Sequence, residues 1–568
     1  MPRKPTARKS RKKSSKKAAP AARAAAARDF LATETPFKGK ALSGKAPKGK
    51  AFNVGQTPPM AAAAAGGPDP SLAFDRPRPS PTRYPIPMVK FLSLKEQVEK
   101  SKAKKAKPGT TVTPDKGRKG PAVPGAMAAL VAGAPVAAAP TAAAPVMLTS
   151  FPGIPATGWL PPDCTLAAGP SHVLVSVNAT VSVYNKTGGA PLKTVTLSKW
   201  FQNVITAAKI FDPKALYDQH AGRWVLLAVA LGPGANDSFF LLSVSKTNDP
   251  LGGWFNYKIN AKLDGMTATN NWADYPSLGV DNQAVYITAN MFAFGGGFQY
   301  VKLRVVPKAG PYAGGALAYT DFVKLKNADG SSVFTLQPCH TYGAPGAEYL
   351  VNSVYPSATG TQNKLSLWRL TNPTAAPALT RITITTDPFS LPPDADQKGG
   401  GIPLDTGDTR VLNAVSRGGS AWCALTTAHN FGAGNRAACH WFQINASTGA
   451  LVQQGVYGGS SLHYFYPAVS PDSNGNMVMV FSRSGSTEFA SVRFTGRKSS
   501  DPPGTLQASA LLQAGLANYT GLDGSGRNRW GDYAGFGNDP ADTLRTWFYS
   551  MYAASGNQWA TQVGASKF

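Results

Sequence analysis

From Phe151 onward the chain alternates between short apolar runs and polar breaks. The runs are rich in Val, Ile, Leu, Phe, Tyr and Trp, and Gly, Pro, Asn or Asp bound them. That pattern predicts β-strands joined by turns, and the sustained 3.6-residue periodicity of a long helix is absent from this region. Three segments align without gaps: Asp274-Tyr-Pro-Ser-Leu-Gly-Val-Asp281, Phe465-Tyr-Pro-Ala-Val-Ser-Pro-Asp472 and Asp532-Tyr-Ala-Gly-Phe-Gly-Asn-Asp539. Each leads into a longer apolar run, at 284–290, 476–482 and 546–552. Looser copies begin at Asp163, Lys214, Cys339 and Leu404. The repeat is a short strand, a turn carrying Asp, and a longer buried strand, with further strands such as 239–245, 365–370 and 441–444 completing it. Seven units roughly 50–70 residues apart fit β-propeller blades of about four strands. The expectation is an all-β fold, a seven-bladed β-propeller over residues 151–568. A sandwich or a row of small β domains competes, but neither recurs with one unit. In a closed ring the edges of the first and last units meet, so no C-terminal cap is expected.

Charge divides the chain differently. Residues 1–120 hold 29 of the 58 Lys and Arg with 7 acidic residues, a net +22, whereas the remaining 448 hold 29 and 23, a net +6. Residues 1–28 are Lys, Arg, Ala, Pro and Ser with almost no large apolar side chain, a composition that cannot offset the entropy of ordering. Residues 1–120 are therefore expected to be a disordered basic arm, with a short helix over 89–106 that sets Leu94 and Val98 on one face. Such an arm suits a polyanion, nucleic acid included, bound through charge alone. Aromatic residues for base stacking are nearly absent before Phe30. Residues 121–150 read as an Ala/Pro-rich linker. Its basic flank (Lys116, Arg118, Lys119) and small apolar residues have the order of a secretory signal at the wrong place in the chain. No apolar run reaches the roughly 18 uninterrupted residues of a membrane helix.

Phe151-Pro-Gly-Ile-Pro-Ala-Thr-Gly-Trp-Leu-Pro-Pro-Asp163, Tyr217-Asp-Gln-His-Ala-Gly-Arg-Trp224, Ser245-Lys-Thr-Asn-Asp-Pro250 and Trp530-Gly-Asp-Tyr533 resemble a mostly bacterial family of secreted β-propellers. That family has no assigned function and is grouped loosely with the sialidase-like propeller superfamily. The resemblance covers nearly all of 151–568 and implies the fold and a secreted or cell-envelope location. It implies no activity, since one fold hosts many functions.

The chemistry of the body is sparse. A sialidase requires an arginine cluster, a Tyr nucleophile with a Glu partner, and a further acid. Residues 151–568 hold only Glu348 and Glu488, and Ser470-Pro-Asp472-Ser-Asn-Gly475 matches an Asp-box only in part. Arg410, Arg417, Arg483 and Arg529 could be gathered by the ring. The six His are scattered without metal-ligand spacing, and no nucleophile elbow is present. The repeated polar positions are more informative. Asp274 and Asp532 stand at one place in their units, each two residues after a Trp (Trp272, Trp530), and Asp163 aligns with them. That place is the entrance to the innermost strand, at one mouth of the channel. There the Asp side chains either gather round a ligand or lock neighbouring blades. Asp218, Asp281, Asp472 and Asp539 read as turn residues.

The reading is a non-enzymatic, monomeric binding or scaffold protein that needs no cofactor or metal. Its channel-mouth face, comprising Asp163, Trp272, Asp274, His340, Asp405, Trp530 and Asp532, would recognise a glycan or a protein. The competing readings are a sialidase-like glycoside hydrolase at the same mouth and a nucleic-acid-associated protein acting through its arm. Cys423 and Cys439 flank a hairpin loop and are candidates for a cross-strand disulfide, whereas Cys164 and Cys339 fall in non-adjacent units and are expected not to bridge. Asn-x-Ser/Thr sequons stand at Asn178, Asn185, Asn236, Asn445 and Asn518.

Overall fold

The computed structural model describes residues 144–356, 360–523 and 526–568. The basic arm, the helix expected over 89–106 and most of the 121–150 linker lie outside the described residues. Within them the chain is an all-β propeller with only two short helices, Leu197–Trp200 and Ala309–Tyr312.

Strands follow one another as antiparallel meanders, each running from an inner to an outer strand. Five four-stranded sheets stand as separate blades. Four lie over 165–196, 209–260, 337–389 and 463–513; the fifth joins strands of 535–567 to Val146–Pro155. The remaining principal strands form a single nine-stranded sheet, in which the meanders 271–323 and 413–457 are tied through the two-residue strand His340–Thr341. The expectation of seven separate blades is corrected accordingly, to five blades and this joined sheet. The cause is local: His340 pairs in parallel with Val280 on one side and Val415 on the other, bridging two sheets that sequence spacing alone keeps apart.

Closure uses a strand that the sequence pattern hides. Val146–Pro155 pairs antiparallel with Gln558–Lys567, from Val146↔Lys567 to Pro155↔Ala560. Residues 146–150, read from composition as linker, thus belong to the outer strand of the last blade. Two prolines fit there because an outer strand has an edge on which no ladder N–H is needed.

The second and third strands of each sheet are buried on both faces, which is why they read as continuous apolar runs rather than alternating ones. Arg223–Leu231 and Met477–Gly485 are buried almost throughout. The core lies between neighbouring sheets: one cluster joins Leu227, Val229 and Phe240 to Val285, Ile287 and Met291 of the next meander. Each such side chain stabilises the fold by about 1.5–3 kcal/mol. Turn aspartates close the inner hairpins. Asp218 accepts from the N–H groups of His220 and Ala221, Asp281 from Gln283 and Ala284, Asp472 from Asn474 and Asn476, and Asp539 from Ala541.

Candidate functional site at the channel mouth

The inner strands begin with a recurrent device. Asp163, Asp212, Tyr275, Thr335 and Tyr466 all stand in the left-handed region, with φ between 49° and 55°. For residues other than Gly this conformation costs of order 1–3 kcal/mol, so something must hold it. What holds it is the neighbouring unit. The Asp212 N–H donates to Asn178 Oδ1 (2.7 Å), Tyr275 N–H to Asp212 Oδ2 (3.0 Å), Thr335 N–H to Asn290 Oδ1 (2.8 Å) and Tyr466 N–H to Thr426 Oγ1 (3.1 Å).

At the seam of the ring the same bond runs from the Asp532 N–H to Asp163 Oδ1 (3.0 Å). Asn178 Nδ2 donates to Asp163 Oδ2 (2.7 Å), and the Tyr275 hydroxyl reaches across the hub to the Asp532 carbonyl (3.1 Å). Asp163, Asn178, Asp212, Tyr275 and Asp532 therefore form one closed hydrogen-bonded circuit. Asp163 shares the left-handed place of Tyr275, one residue on from Asp274, which shifts the sequence alignment of the three aspartates by one position.

Charge is concentrated around this circuit. Burial, reinforced by the Asp532 and Asp212 carboxylates, pushes Asp163 well above the usual carboxylate range, against Arg529 and Asn178. Burial and then Asp274 and Asp532 raise Asp212 likewise. Asp274 is raised to about 7 by burial and by Asp532. Burial lowers Lys214 to about 7, against the pull of the nearby aspartates, and its amine lies 2.9 Å from the centroid of the Tyr533 ring. Arg529 holds Asp532 at 2.9 Å, and Arg410 grips Asp408 through two bonds of 2.8 and 2.6 Å while lying 4.5 Å from the Tyr275 ring. The carboxylate of Asp532 is about a quarter exposed, and Asp274 is half-buried. Among the described residues, no three His, Cys, Asp or Glu side chains converge as metal ligands.

The seven positions expected to form the recognition face separate. Asp163, Asp274 and Asp532 meet at the hub. Asp405 is on the same side: its side chain accepts from the Gly407 N–H, its N–H donates to the Asn528 carbonyl, and Arg527 lies 3.6 Å away. Trp272 is half-buried and packs at a tilt against Phe292, ring centroids 5.4 Å apart. Trp530 is removed from the face, because its ring is fully buried against Tyr519 and its indole N–H donates to Ser482 Oγ. His340 is at the other end of the channel. Its pairing with Val280 puts it six residues along the strand from Asp274, about 20 Å at ~3.3 Å per residue. There Nε2 lies 3.0 Å from Gln219 Oε1, the ring stacks on Tyr342, and burial depresses its pKa to about 3, leaving it neutral.

Asn178, Asp212 and Lys214 were not identified from the sequence. Their signal is the Asp212-Pro213 pair, which matches Tyr275-Pro276 and Tyr466-Pro467 at the left-handed position. The channel between the two mouths, lined by Lys214, Gln337, His340, Tyr342, Asn413 and Tyr533 among others, encloses about 80 Å³.

The cysteine hairpin forms, but its register places Cys439 opposite Thr426 and Cys423 opposite Phe442. An offset of three residues puts the two side chains on opposite faces of the sheet, in different core clusters. All four cysteines are free and buried.

No family model matches the chain, and no curated protein matches it. Solved structures of similar architecture include a protein of unknown function from Dyadobacter fermentans, at 8% identity over 63% of this chain and 94% of that one, TM-score 0.28. A GH43 endo-arabinanase from Bacillus licheniformis matches at 12% identity over 52% and 96%, TM-score 0.28. Trypanosoma rangeli sialidase in complex with sialic acid matches at 10% identity over 70% and 59%, TM-score 0.35. At these identities the likeness says nothing of chemistry. The resemblance to a mostly bacterial secreted family has no family match behind it.

Proposed function

We propose that this protein is a binding propeller whose hub mouth, around Asp274 and Asp532, recognises a glycan or a protein surface. The observation that carries this reading is that the charges there are already arranged by the fold. Arg529 is committed to Asp532 and Arg410 to Asp408, and Asp163 and Asp212 spend their oxygens on neighbouring N–H groups. A channel of about 80 Å³ is well below the ~300–1,000 Å³ of small-molecule pockets, so recognition falls to the surface around the mouth. The connections leading into inner strands carry exposed Leu160, Met266, Ile402, Leu516 and Leu522, apolar contacts suited to a macromolecular partner.

A hydrolase is the second reading, favoured by one observation: Asp274, raised to about 7, neighbours Asp532, and glycoside hydrolysis uses one protonated and one ionised carboxyl group. Against a sialidase-type mechanism, Glu348 bonds Thr341 and Glu488 bonds Arg483, away from the hub. The Tyr275 hydroxyl is spent on the Asp532 carbonyl, and burial raises its pKa.

The test is a panel of immobilised oligosaccharides probed with the full chain, with release of reducing ends measured in parallel. The binding reading expects saturable capture without product. Product release that vanishes in Asp274→Asn would replace it with the hydrolase reading. The arm, at net +22 over residues 1–120, is proposed to bind a polyanion through charge.

A further inference from the structure

At the end of the fold opposite the hub circuit, a lysine and an aspartate from neighbouring blades are buried against each other. Lys308 Nζ lies 2.5 Å from Asp218 Oδ2, and the two side chains are 9% and 0% exposed. The two oxygens of Asp218 have different surroundings. Oδ1 accepts from the backbone N–H groups of His220 (3.0 Å) and Ala221 (3.3 Å). Oδ2 faces the amine and accepts from the Tyr312 hydroxyl (2.7 Å). Lys308 is the N-cap of the helix Ala309–Tyr312, so one turn of chain carries both the amine and that hydroxyl. The amine also donates to the Asp281 carbonyl.

At an ordinary angle of approach the nitrogen stands roughly 3–3.5 Å from Asp218 Cγ, a near-attack arrangement. Burial pushes the Lys308 amine below its ordinary value, against the pull of Asp218, Asp281 and Glu348. Such surroundings favour moving one proton from nitrogen to Oδ2, which leaves a neutral amine beside a neutral carboxyl group. The buried pair Lys302–Asp264 lacks this layout. Its amine donates to the Ala261 and Leu263 carbonyls, and the Tyr300 hydroxyl meets both Asp264 oxygens alike.

We propose that Lys308 and Asp218 condense to an isopeptide bond that ties the blade 209–260 to the meander 271–323. The Nζ electron pair forms the new bond to Cγ, and the displaced π pair collects on Oδ1, held by the His220 and Ala221 N–H groups. Nitrogen sheds one proton, and the Tyr312 hydroxyl passes one to Oδ2. The Cγ–Oδ2 bond then breaks and water leaves, with no change of oxidation state. The proton that stays on the amide nitrogen keeps its acceptor in the Asp281 carbonyl. The link constrains the unfolded chain as a disulfide does, and it is independent of recognition at the hub.

The test is mass spectrometry of the purified, folded full chain. The expected result is an intact mass one water below that of the sequence. A tryptic digest is expected to contain a branched peptide joining 215–223 to 305–324, uncut at Lys308. Lys308→Arg keeps the cation but not the nucleophilic amine, and is expected to lack both signatures and to melt several degrees lower. A folded parent without the branched peptide would leave only an ion pair and overturn the proposal. So would a water loss that persists in Lys308→Arg.

Discussion

Asn178 occupies the most connected position of the hub. Its amide bonds the Pro161 carbonyl, Asp163 and the Asp212 N–H, all within the buried circuit. Asn178→Ala leaves these groups without partners, and each unsatisfied buried group costs about 1–3 kcal/mol. We expect a loss on the order of 3 kcal/mol, read as a lower denaturant midpoint at unchanged m-value. The same burial makes Asn178 a sequon closed to glycosylation in the folded chain, whereas Asn185 and Asn236 are exposed.

Glu348 gives a pH signature. Burial, and then the Asp281 carboxylate, raise its pKa well above the ordinary value. The folded chain therefore keeps a proton that the unfolded chain releases above about pH 4.3, and stability falls as pH rises through that window. Glu348→Gln, which removes the titration, is expected to flatten the decline and to match or exceed the parent in stability at pH 7–8, as thermal melts across pH would show. The four buried thiols, each with its pKa raised by burial, are expected to react with a thiol reagent only once the chain unfolds.

Among elements, the outer strand Val146–Pro155 completes the last blade. A chain beginning at residue 144 is expected to melt as the full chain does, whereas one beginning at residue 157 should melt several degrees lower and expose apolar surface to a hydrophobic dye. The seam has a second dependence. A Cβ on Gly535 would come within 2.5 Å of the Leu166 backbone nitrogen and 2.7 Å of the Thr165 carbonyl carbon. Gly535→Ala must push the first and last blades apart, at about 1–3 kcal/mol.

The repeat was legible because inner-strand entrances share Asp or Tyr-Pro with a turn Asp, and Asp163, Asp274 and Asp532 came from that. Val146–Pro155 was not, since a half-exposed outer strand with two prolines resembles linker by composition. His340–Thr341 was not, because a two-residue parallel strand has no periodicity to read. Trp530 and Trp272 share a spacing in sequence, yet only packing shows that the first is buried and the second half-buried.

At the scale of the whole molecule, five blades and one joined sheet surround a channel whose two mouths differ in chemistry. One holds the aspartate circuit with Lys214, Arg410 and Arg529; the other holds neutral His340 beside Tyr342. For the net +22 of residues 1–120 we propose a polyanionic partner bound through charge. Affinity for duplex DNA or heparin is expected to fall steeply with salt, and to be lost when those residues are removed. Retained affinity would place the polyanion contact on the propeller instead.

The measurement that bears most directly on recognition at the hub is a binding titration of Asp274→Asn/Asp532→Asn against the oligosaccharide or protein that the parent captures, with melting followed alongside. The melting temperature is expected to stay within a few degrees of the parent, since Asp163 accepts the Asp532 backbone N–H, which the substitution retains. Affinity is expected to fall at least about tenfold. Undiminished affinity in a fully folded double variant would contradict it.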